Sequence, residues 1–335
     1  MLIRLISLLL SAGSLVACHN NVPDVSHIKI PLEVKRFEQA FFTLDTNNII
    51  PEVDKLIAKY PTFGENFIGT ILGADPKWGA DTMAAYINSF IVYNKTVFDT
   101  SQKYFSNFDK YQSNVKTLLQ FVKYYYPKYT LPTKLITYIG PADGFGDILD
   151  DDILIVGLQA HLGAQFPLYN TEMVQEVYPN YITARFAPEY IVVNAGKNIV
   201  SDKYPDKNDD KRLLIQMIEN GKRLWLLSQF LPNTPPYQLI GYTEAQYNDC
   251  EKHEANIWSF FIQNNLLQVA DNVTKNYVSE GPKTPELGQD APGNIGSYAG
   301  WQIVKKYVDK NSQIKPSQIM ALDNEVLYNE AKYKP

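Results

Sequence analysis

The sequence predicts an α+β fold that is predominantly α-helical and contains a small central β-sheet. Apolar residues recur every three or four positions toward both ends of the chain, which is typical of helices packed on a core. In the middle, the period changes to short apolar or β-branched runs bounded by Gly, Pro and Asp, which is typical of strands. The 335 residues, of which 45% are hydrophobic and 20% charged, suffice for a sizeable core. We therefore expect one globular domain over residues 31–335.

The first part of this domain is predicted to be helical. Apolar residues follow helical spacing over residues 37–60, 84–90, 92–108 and 108–125. Pro51 lies where the first turn of a helix tolerates it, and Pro127 lies just after the last of these helices.

Strands are predicted next, at residues 135–139, 153–158 and 190–194. Three consecutive carboxylates, from Asp150 to Asp152, precede the second run and could suggest a cation site. They lack the alternating oxygen ligands and the glycine of a calcium loop, so we predict a solvent-exposed turn. Helical spacing then returns over residues 211–230, 243–269 and 300–309, and in two short pieces within 316–335.

The first seventeen residues have the layout of a bacterial secretory signal, with Arg4, a short apolar run and a stretch of small residues. Leu15-Val16-Ala17-Cys18 resembles the lipobox of bacterial lipoproteins, which implies that the chain is cut before Cys18 and that this cysteine is acylated. Each buried CH₂ contributes about 0.8 kcal/mol, so three acyl chains would anchor the protein stably. An ordinary cleaved signal is the alternative. Residues 18–30 are predicted to be a polar tether.

Composition argues against several classes of function. A formal net charge of −5 disfavours a nucleic-acid binder, whose binding face is usually basic. Cys250 is the only cysteine besides Cys18, so neither an intramolecular disulfide nor a thiolate zinc site is expected. Its helical spacing with Tyr247 and Ile257 predicts a small buried hydrophobe rather than a reactive thiol. No apolar stretch of about 18 residues follows the signal, so no transmembrane helix is predicted.

No catalytic motif is complete in the sequence. His161 follows a predicted strand, where a hydrogen-bonded structural histidine is expected. His253-Glu254 begins like a zinc-protease helix, but Ile257 stands where the second imidazole is needed one turn later. We therefore predict a protein that is not an enzyme and holds neither a metal nor a cofactor.

The helix over residues 211–230 is apolar nearly all round, which predicts burial, yet its centre carries Glu219, Lys222 and Arg223. Glu254 likewise lies in an apolar line of the next helix. Because a buried charge must be compensated, we predict that Glu254 meets Lys222, Arg223 or another cation inside the fold. These four residues form the candidate polar pocket; a structural ion pair is the favoured interpretation, and a functional pocket is the alternative.

Glycines mark two further features. Gly221, at the centre of the same helix, would allow close approach of a neighbouring helix or a ligand. The stretch from Gly281 to Trp301 is rich in Pro, Gly and aromatic residues, so it either lines a cleft or is simply well packed.

Several short motifs, read in order, resemble the gliding motility-associated lipoproteins of Bacteroidetes, the GldB family. They are Lys35-Arg36-Phe37-Glu38 with Phe41-Phe42 and Tyr60-Pro61, Met217-Ile218 with Gly221-Lys222, Gly241-Tyr242-Thr243 before Glu254 and Ile257-Trp258, Ala291-Pro292-Gly293, Gly300-Trp301-Gln302-Ile303-Val304 and Lys332-Tyr333-Lys334-Pro335. The resemblance runs from the lipobox to the last residue. It implies an envelope lipoprotein that supports gliding, in organisms with type IX secretion, through contacts with other envelope proteins of that machinery.

The same family is similar, more distantly, to zinc peptidases with a His-Glu-x-x-His helix. Ile218-Glu219-Asn220-Gly221-Lys222 would occupy the place of that motif, and Glu254 the place of the third ligand. The resemblance thus implies a degenerate zincin-like fold that has lost both imidazoles and the means to activate a bound water. A hydrolase, or a peptide- or peptidoglycan-binding protein derived from that fold, is the alternative function.

The location follows from the lipid anchor. His19 does not match an inner-membrane retention residue, and the tether has no acidic run of the kind that suggests surface export. We expect the protein at the outer membrane, on its periplasmic face.

Overall fold

The computed structural model describes residues 22–206, 210–270 and 275–335. The predicted signal over residues 1–17 and the predicted lipidation site Cys18 lie outside the described residues. The strands are β1 (Glu33–Arg36), β2 (Lys134–Tyr138), β3 (Ile148–Asp150) and β4 (Ile153–Gly157). The helices are α1 (Phe37–Phe42), α2 (Ile49–Lys59), α3 (Phe63–Asn66), α4 (Ala80–Tyr93), α5 (Lys95–Tyr104), α6 (Asp109–Tyr125), α7 (Glu172–Val177), α8 (Asn180–Thr183), α9 (Tyr190–Lys203), α10 (Leu213–Phe230), α11 (Pro236–Ile240), α12 (Glu244–Lys252), α13 (Glu254–Gln263), α14 (Lys275–Val278), α15 (Ile295–Lys310), α16 (Pro316–Ala321) and α17 (Asn324–Ala331).

The architecture is α+β and mostly helical, as the sequence predicts. The strands form one mixed sheet in the order β1-β2-β4-β3. β1 pairs with β2 and β2 with β4 in parallel, whereas β3 and β4 form an antiparallel pair. The predicted strands 135–139 and 153–158 are confirmed as β2 and β4, and Asp151 lies in the exposed turn that joins β3 to β4.

The third predicted strand, residues 190–194, is wrong: this segment opens helix α9. Its β-branched residues favour a strand locally, but Ile191 and Val193 are buried together with Ile199 and Val200 farther along the same helix. Contacts of α9 with α6 and α10 therefore override the local preference.

The single helix predicted over residues 243–269 is also wrong, because it is divided at His253. Thr243 begins α12 with a capping box that includes Gln246. The backbone of His253 leaves the helical region at φ −110° and ψ 21°, so α12 ends there and α13 starts at Glu254. Apolar spacing persists across such a break, which is why periodicity alone did not reveal it.

A buried polar cluster joins α1 to the sheet. Glu38 is fully buried, and its carboxylate accepts hydrogen bonds from Arg36 Nε at 2.6 Å and from Thr137 Oγ1 of β2 at 2.5 Å. Burial raises the pKa of Glu38, and the Arg36 charge opposes that shift. Arg36 also donates to the Phe105 carbonyl at the end of α5. One guanidinium thus ties two helices to the sheet.

Part of the predicted tether lies against this body. Val25 is buried, and the Ile28 carbonyl accepts a hydrogen bond from Gln120 of α6 at 2.8 Å. Within the described ranges, none of the helices combines the length and the apolar character that crossing a membrane requires.

Candidate functional site

Helix α10 positions most of the predicted polar residues, and its place in the fold depends on two glycines. A Cβ atom on Gly300 of α15 would lie 1.7 Å from the Met217 carbonyl oxygen of α10, and one on Gly221 would lie 2.3 Å from the Gly300 carbonyl carbon. The two helices therefore touch backbone to backbone. The predicted close approach at Gly221 is confirmed, with a neighbouring helix as the partner.

Lys222 is 1% exposed and is held by the C-terminal part of the chain. Its ammonium donates a hydrogen bond to the Leu322 carbonyl at 2.5 Å and lies 3.8 Å from the Glu219 carboxylate. Burial lowers the pKa of Lys222, and the negative charge of Glu219 opposes that shift. Glu219 in turn accepts a hydrogen bond from the Asn324 side chain at 2.6 Å.

Glu254 forms no ion pair with Lys222 or Arg223 in the described part of the chain, so these two predicted partners are wrong. Its carboxylate instead accepts a hydrogen bond from the Tyr333 hydroxyl at 2.6 Å. Burial raises the pKa of Tyr333, and the hydrogen bond to Glu254 raises it further. The third predicted possibility, another cation, is met by Lys305 at longer range: burial lowers the pKa of Lys305, and the charges of Glu251 and Glu254 oppose that shift.

Glu219, Lys222 and Glu254 therefore share one role, which is to fasten residues 316–335 to the body. The ion pair between Arg212 and Glu325 adds a further link between α10 and this segment. Within the residues that the structure describes, no group of three or more His, Cys, Asp or Glu side chains is placed to hold a metal ion.

Arg223, the fourth predicted residue, lies apart from these three and lines a cavity of about 270 Å³. The cavity lies between α9, α10 and α11. Its lining residues are Lys197, Val200, Ser201, Asn220, Arg223, Leu224, Leu227, Leu239, Ile240, Glu280, Asn294 and Ser297.

A second cavity of about 300 Å³ adjoins the first and shares Ile240, Glu280 and Asn294 with it. Its other walls include Tyr181, Tyr190, Tyr237, Arg185, Gly241 and residues at both ends of the loop 281–294. The stretch that begins at Gly281 thus does line a cleft.

Arg185 and Glu280 form an ion pair at the junction of the two cavities. The two guanidinium nitrogens donate to the two carboxylate oxygens at 2.8 and 2.5 Å. Burial opposes ionisation of Glu280, but the hydrogen bonds from Arg185 dominate and lower the pKa of Glu280. Gly241 has a φ of 87°, and a Cβ there would lie 2.3 Å from Arg185 Nη1, so only glycine leaves room for this pair.

The side chains of Lys197 and Arg223 differ from that of Arg185, because neither forms a hydrogen bond or an ion pair with another described residue. Burial, together with the charge of Arg185, lowers the pKa of Lys197 to about 8, and the charge of Glu280 opposes the shift. The ammonium therefore remains mostly protonated at neutral pH. The cavity carries two cations that the described chain does not neutralise.

Sequence reasoning singled out Arg223 but missed Arg185, Lys197 and Glu280. Lys197 belongs to α9. Because the first residues of α9 were predicted to be a strand, the sequence did not indicate that Lys197 lies on a helix. Arg185 and Glu280 are 95 residues apart and meet only through the tertiary fold.

His161 and Cys250 have the structural roles that the sequence predicts. His161 is fully buried, and its ring nitrogens contact the Asp147 carboxylate at 2.8 Å and the Ala187 carbonyl at 3.0 Å. Cys250 is buried and free, and burial raises the pKa of its thiol to about 12.

Comparison with known proteins gives one family. The family model described as gliding motility protein GldB matches residues 18–335 of the chain. Neither a curated protein nor a solved structure matches.

Proposed function

We propose that the chain, which belongs to the gliding motility protein GldB family, acts as a non-catalytic envelope lipoprotein that supports gliding. Acyl chains on Cys18 hold it at the periplasmic face of the outer membrane. There it contacts other proteins of the gliding and type IX secretion machinery. The family match over residues 18–335 carries this proposal, because it starts at the predicted lipidated cysteine and ends at the last residue.

A non-catalytic role is supported by what occupies the peptidase-like positions of α10. If the fold is a degenerate relative of the zinc peptidases, Ile218 and Lys222 stand at the two histidine positions. Ile218 is apolar and buried, and the Lys222 ammonium is bound by the Leu322 carbonyl. Glu219, at the position of the catalytic glutamate, is bound by Asn324. These side chains hold the chain's own C-terminal segment rather than a substrate.

A role through protein contacts is supported by exposed apolar side chains. Val92 and Tyr93, at the end of α4, are 69% and 84% exposed. Large exposed aromatic side chains are common anchors of protein interfaces. A photo-crosslinking amino acid at position 93 should therefore join the protein to a partner in the intact envelope, whereas the same probe at the exposed Lys306 of α15 serves as the control.

The experiment that tests the function is gene deletion followed by complementation in the source bacterium. Wild-type protein, a Cys18→Ser variant and a Ser26→Ala control are expressed at matched levels. Colony spreading reports gliding, and the proteins in the culture medium report type IX secretion. We expect the deletion to impair one or both, wild type and Ser26→Ala to restore them, and Cys18→Ser to fail. A deletion strain that spreads and secretes normally would contradict the proposal.

A ligand-binding function is the second candidate, and one observation favours it. The cavity beside α10 presents Lys197 and Arg223 without a partner from the described chain. Cations that converge on one cavity without a partner from the chain are typical of a site for an anionic ligand.

A further inference from the structure

The cavity beside α10 offers a ready site for an anionic group. Arg223 carries a planar guanidinium that can bind a carboxylate through two parallel hydrogen bonds, and Lys197 adds a second positive charge. Glu280 also lines the cavity, but both of its oxygens are already taken by Arg185. Because that pair is neutral as a whole, the charges of Lys197 and Arg223 remain available to a ligand.

The rest of the cavity wall is largely aliphatic. Val200, Leu224, Leu227, Leu239 and Ile240 line it beside the two cations. A free phosphate or a sugar phosphate would leave this aliphatic wall uncovered. The wall instead favours an anionic group attached to an aliphatic body.

The adjoining cavity provides room for a longer ligand of polar character. Tyr181, Tyr190 and Tyr237 line it, together with residues at both ends of the loop 281–294. Asn294 lines both cavities, and its Oδ1 is buried without a hydrogen-bond partner in the described chain, so an acceptor for an N–H group lies at the junction. A simple fatty acid would use neither the tyrosines nor this acceptor.

From these features we infer that the two cavities bind the C-terminal end of a peptide whose last residue is aliphatic. The terminal carboxylate lies between Lys197 and Arg223, and the last side chain lies against the leucines of α10. The preceding residues continue past Asn294 into the tyrosine-lined cavity. This inference does not depend on the motility role, because it concerns binding by the purified protein alone.

Fluorescence anisotropy with the full chain purified in detergent at pH 7 tests the inference. The probe is a fluorescein-labelled Gly-Ser-Gly-Ala-Ala-Leu peptide with a free carboxylate, and the matched probe carries a C-terminal amide. The variants are Lys197→Met and Arg223→Gln, with Lys306→Met on the exposed side of α15 as the control. Octanoate and inorganic phosphate are added as competitors.

The acid peptide should bind at least about tenfold more tightly than the amide, because hydrogen bonds to a charged group are lost with the amide. Each of the two cavity variants should weaken binding of the acid peptide by a similar factor, while Lys306→Met leaves it unchanged. Equal binding of acid and amide by wild-type protein would overturn the inference, whatever the folding of the variants. So would displacement of the peptide by phosphate or octanoate at concentrations at which the peptide itself binds.

Discussion

Lys222 and Arg223 are neighbours on helix α10, yet their surroundings are opposite. Lys222 is 1% exposed and is bound by the Leu322 carbonyl and the Glu219 carboxylate. Arg223 lines a cavity and has no partner among the described residues. The comparison teaches that a charge on an apolar helix can be neutralised in two ways. The chain can supply the partner itself, and the charge is then structural, or the partner can come from outside.

His161, like Lys222, is a buried cation whose charge is neutralised by another residue of the chain, here Asp147. We expect the largest effect from Asp147→Asn, which leaves the buried imidazolium without its carboxylate. Removing one partner of a buried ion pair typically costs about 3–5 kcal/mol. Urea unfolding at pH 6 should show a loss of that size in the free energy of unfolding. Asp150→Asn at the exposed end of β3 is the matched control, and an equal effect of both substitutions would contradict the account.

The same pair predicts a pH dependence. Burial alone would lower the pKa of His161, but the Asp147 charge and hydrogen bond dominate and raise it above its ordinary value of 6.5. Stability from this group is therefore fully present below about pH 6.5 and is lost as the pH rises through the raised value. Wild type should lose unfolding free energy above about pH 6.5, and Asp147→Asn should lose less over the same range. If the unfolding free energies of wild type and Asp147→Asn changed equally with pH, the ion pair would be contradicted.

The next effect concerns the backbone contact between α10 and α15. The position of Lys222 on α10 depends on this contact. In Gly300→Ala, the new methyl group would meet the Met217 carbonyl oxygen at 1.7 Å, and backbone cannot yield as a side chain can. We expect a loss of about 3 kcal/mol in unfolding free energy, at the upper end of the usual cost of overpacking. Gly69→Ala is the control, because nothing lies within 4 Å of its added Cβ. A Gly300→Ala protein as stable as this control would show that the helices are not in backbone contact.

Lys222→Met should have an intermediate effect. The methionine fits the apolar surroundings, but the Leu322 carbonyl loses its donor. An unsatisfied buried polar group costs about 1–3 kcal/mol, and we expect a decrease of this size in unfolding free energy. Because the lost bond fastens residues 316–335, limited proteolysis should also cut this segment faster than in wild type. Lys306→Met, which changes the same residue type at an exposed site, should change neither.

The sequence predicted the elements whose local pattern and packing agree. Strands β2 and β4, helix α6 and the two short helices of the C-terminal segment are where apolar spacing placed them. The strand predicted at residues 190–194 was wrong because four consecutive aromatic or β-branched residues, 190–193, favour a strand, whereas packing on α6 and α10 requires a helix.

The site was only partly predictable, for a physical reason. Burial of Lys222 followed from the apolar helix around it, but the partner of a buried charge is chosen by the tertiary fold. The sequence could not show that Leu322, one hundred residues later, supplies that partner. The cavity could not be predicted from the sequence, because Arg185, Lys197 and Glu280 come from separate segments that meet only in the fold.

Arg223→Gln should have the smallest effect on stability. Arg223 has no partner in the described chain, so its loss breaks no internal bond, and the unfolding free energy should stay within about 0.5 kcal/mol of wild type. Urea unfolding checks this directly. A loss above about 2 kcal/mol would place Arg223 with Lys222 among the structural residues.

Binding of the acid peptide to Lys222→Met and Arg223→Gln, measured beside their unfolding free energies, tests the central contrast most directly. The account predicts that Lys222→Met is less stable but still binds the peptide, and that Arg223→Gln is as stable as wild type but binds at least about tenfold more weakly. The reverse pattern, or wild-type binding by Arg223→Gln, would contradict it.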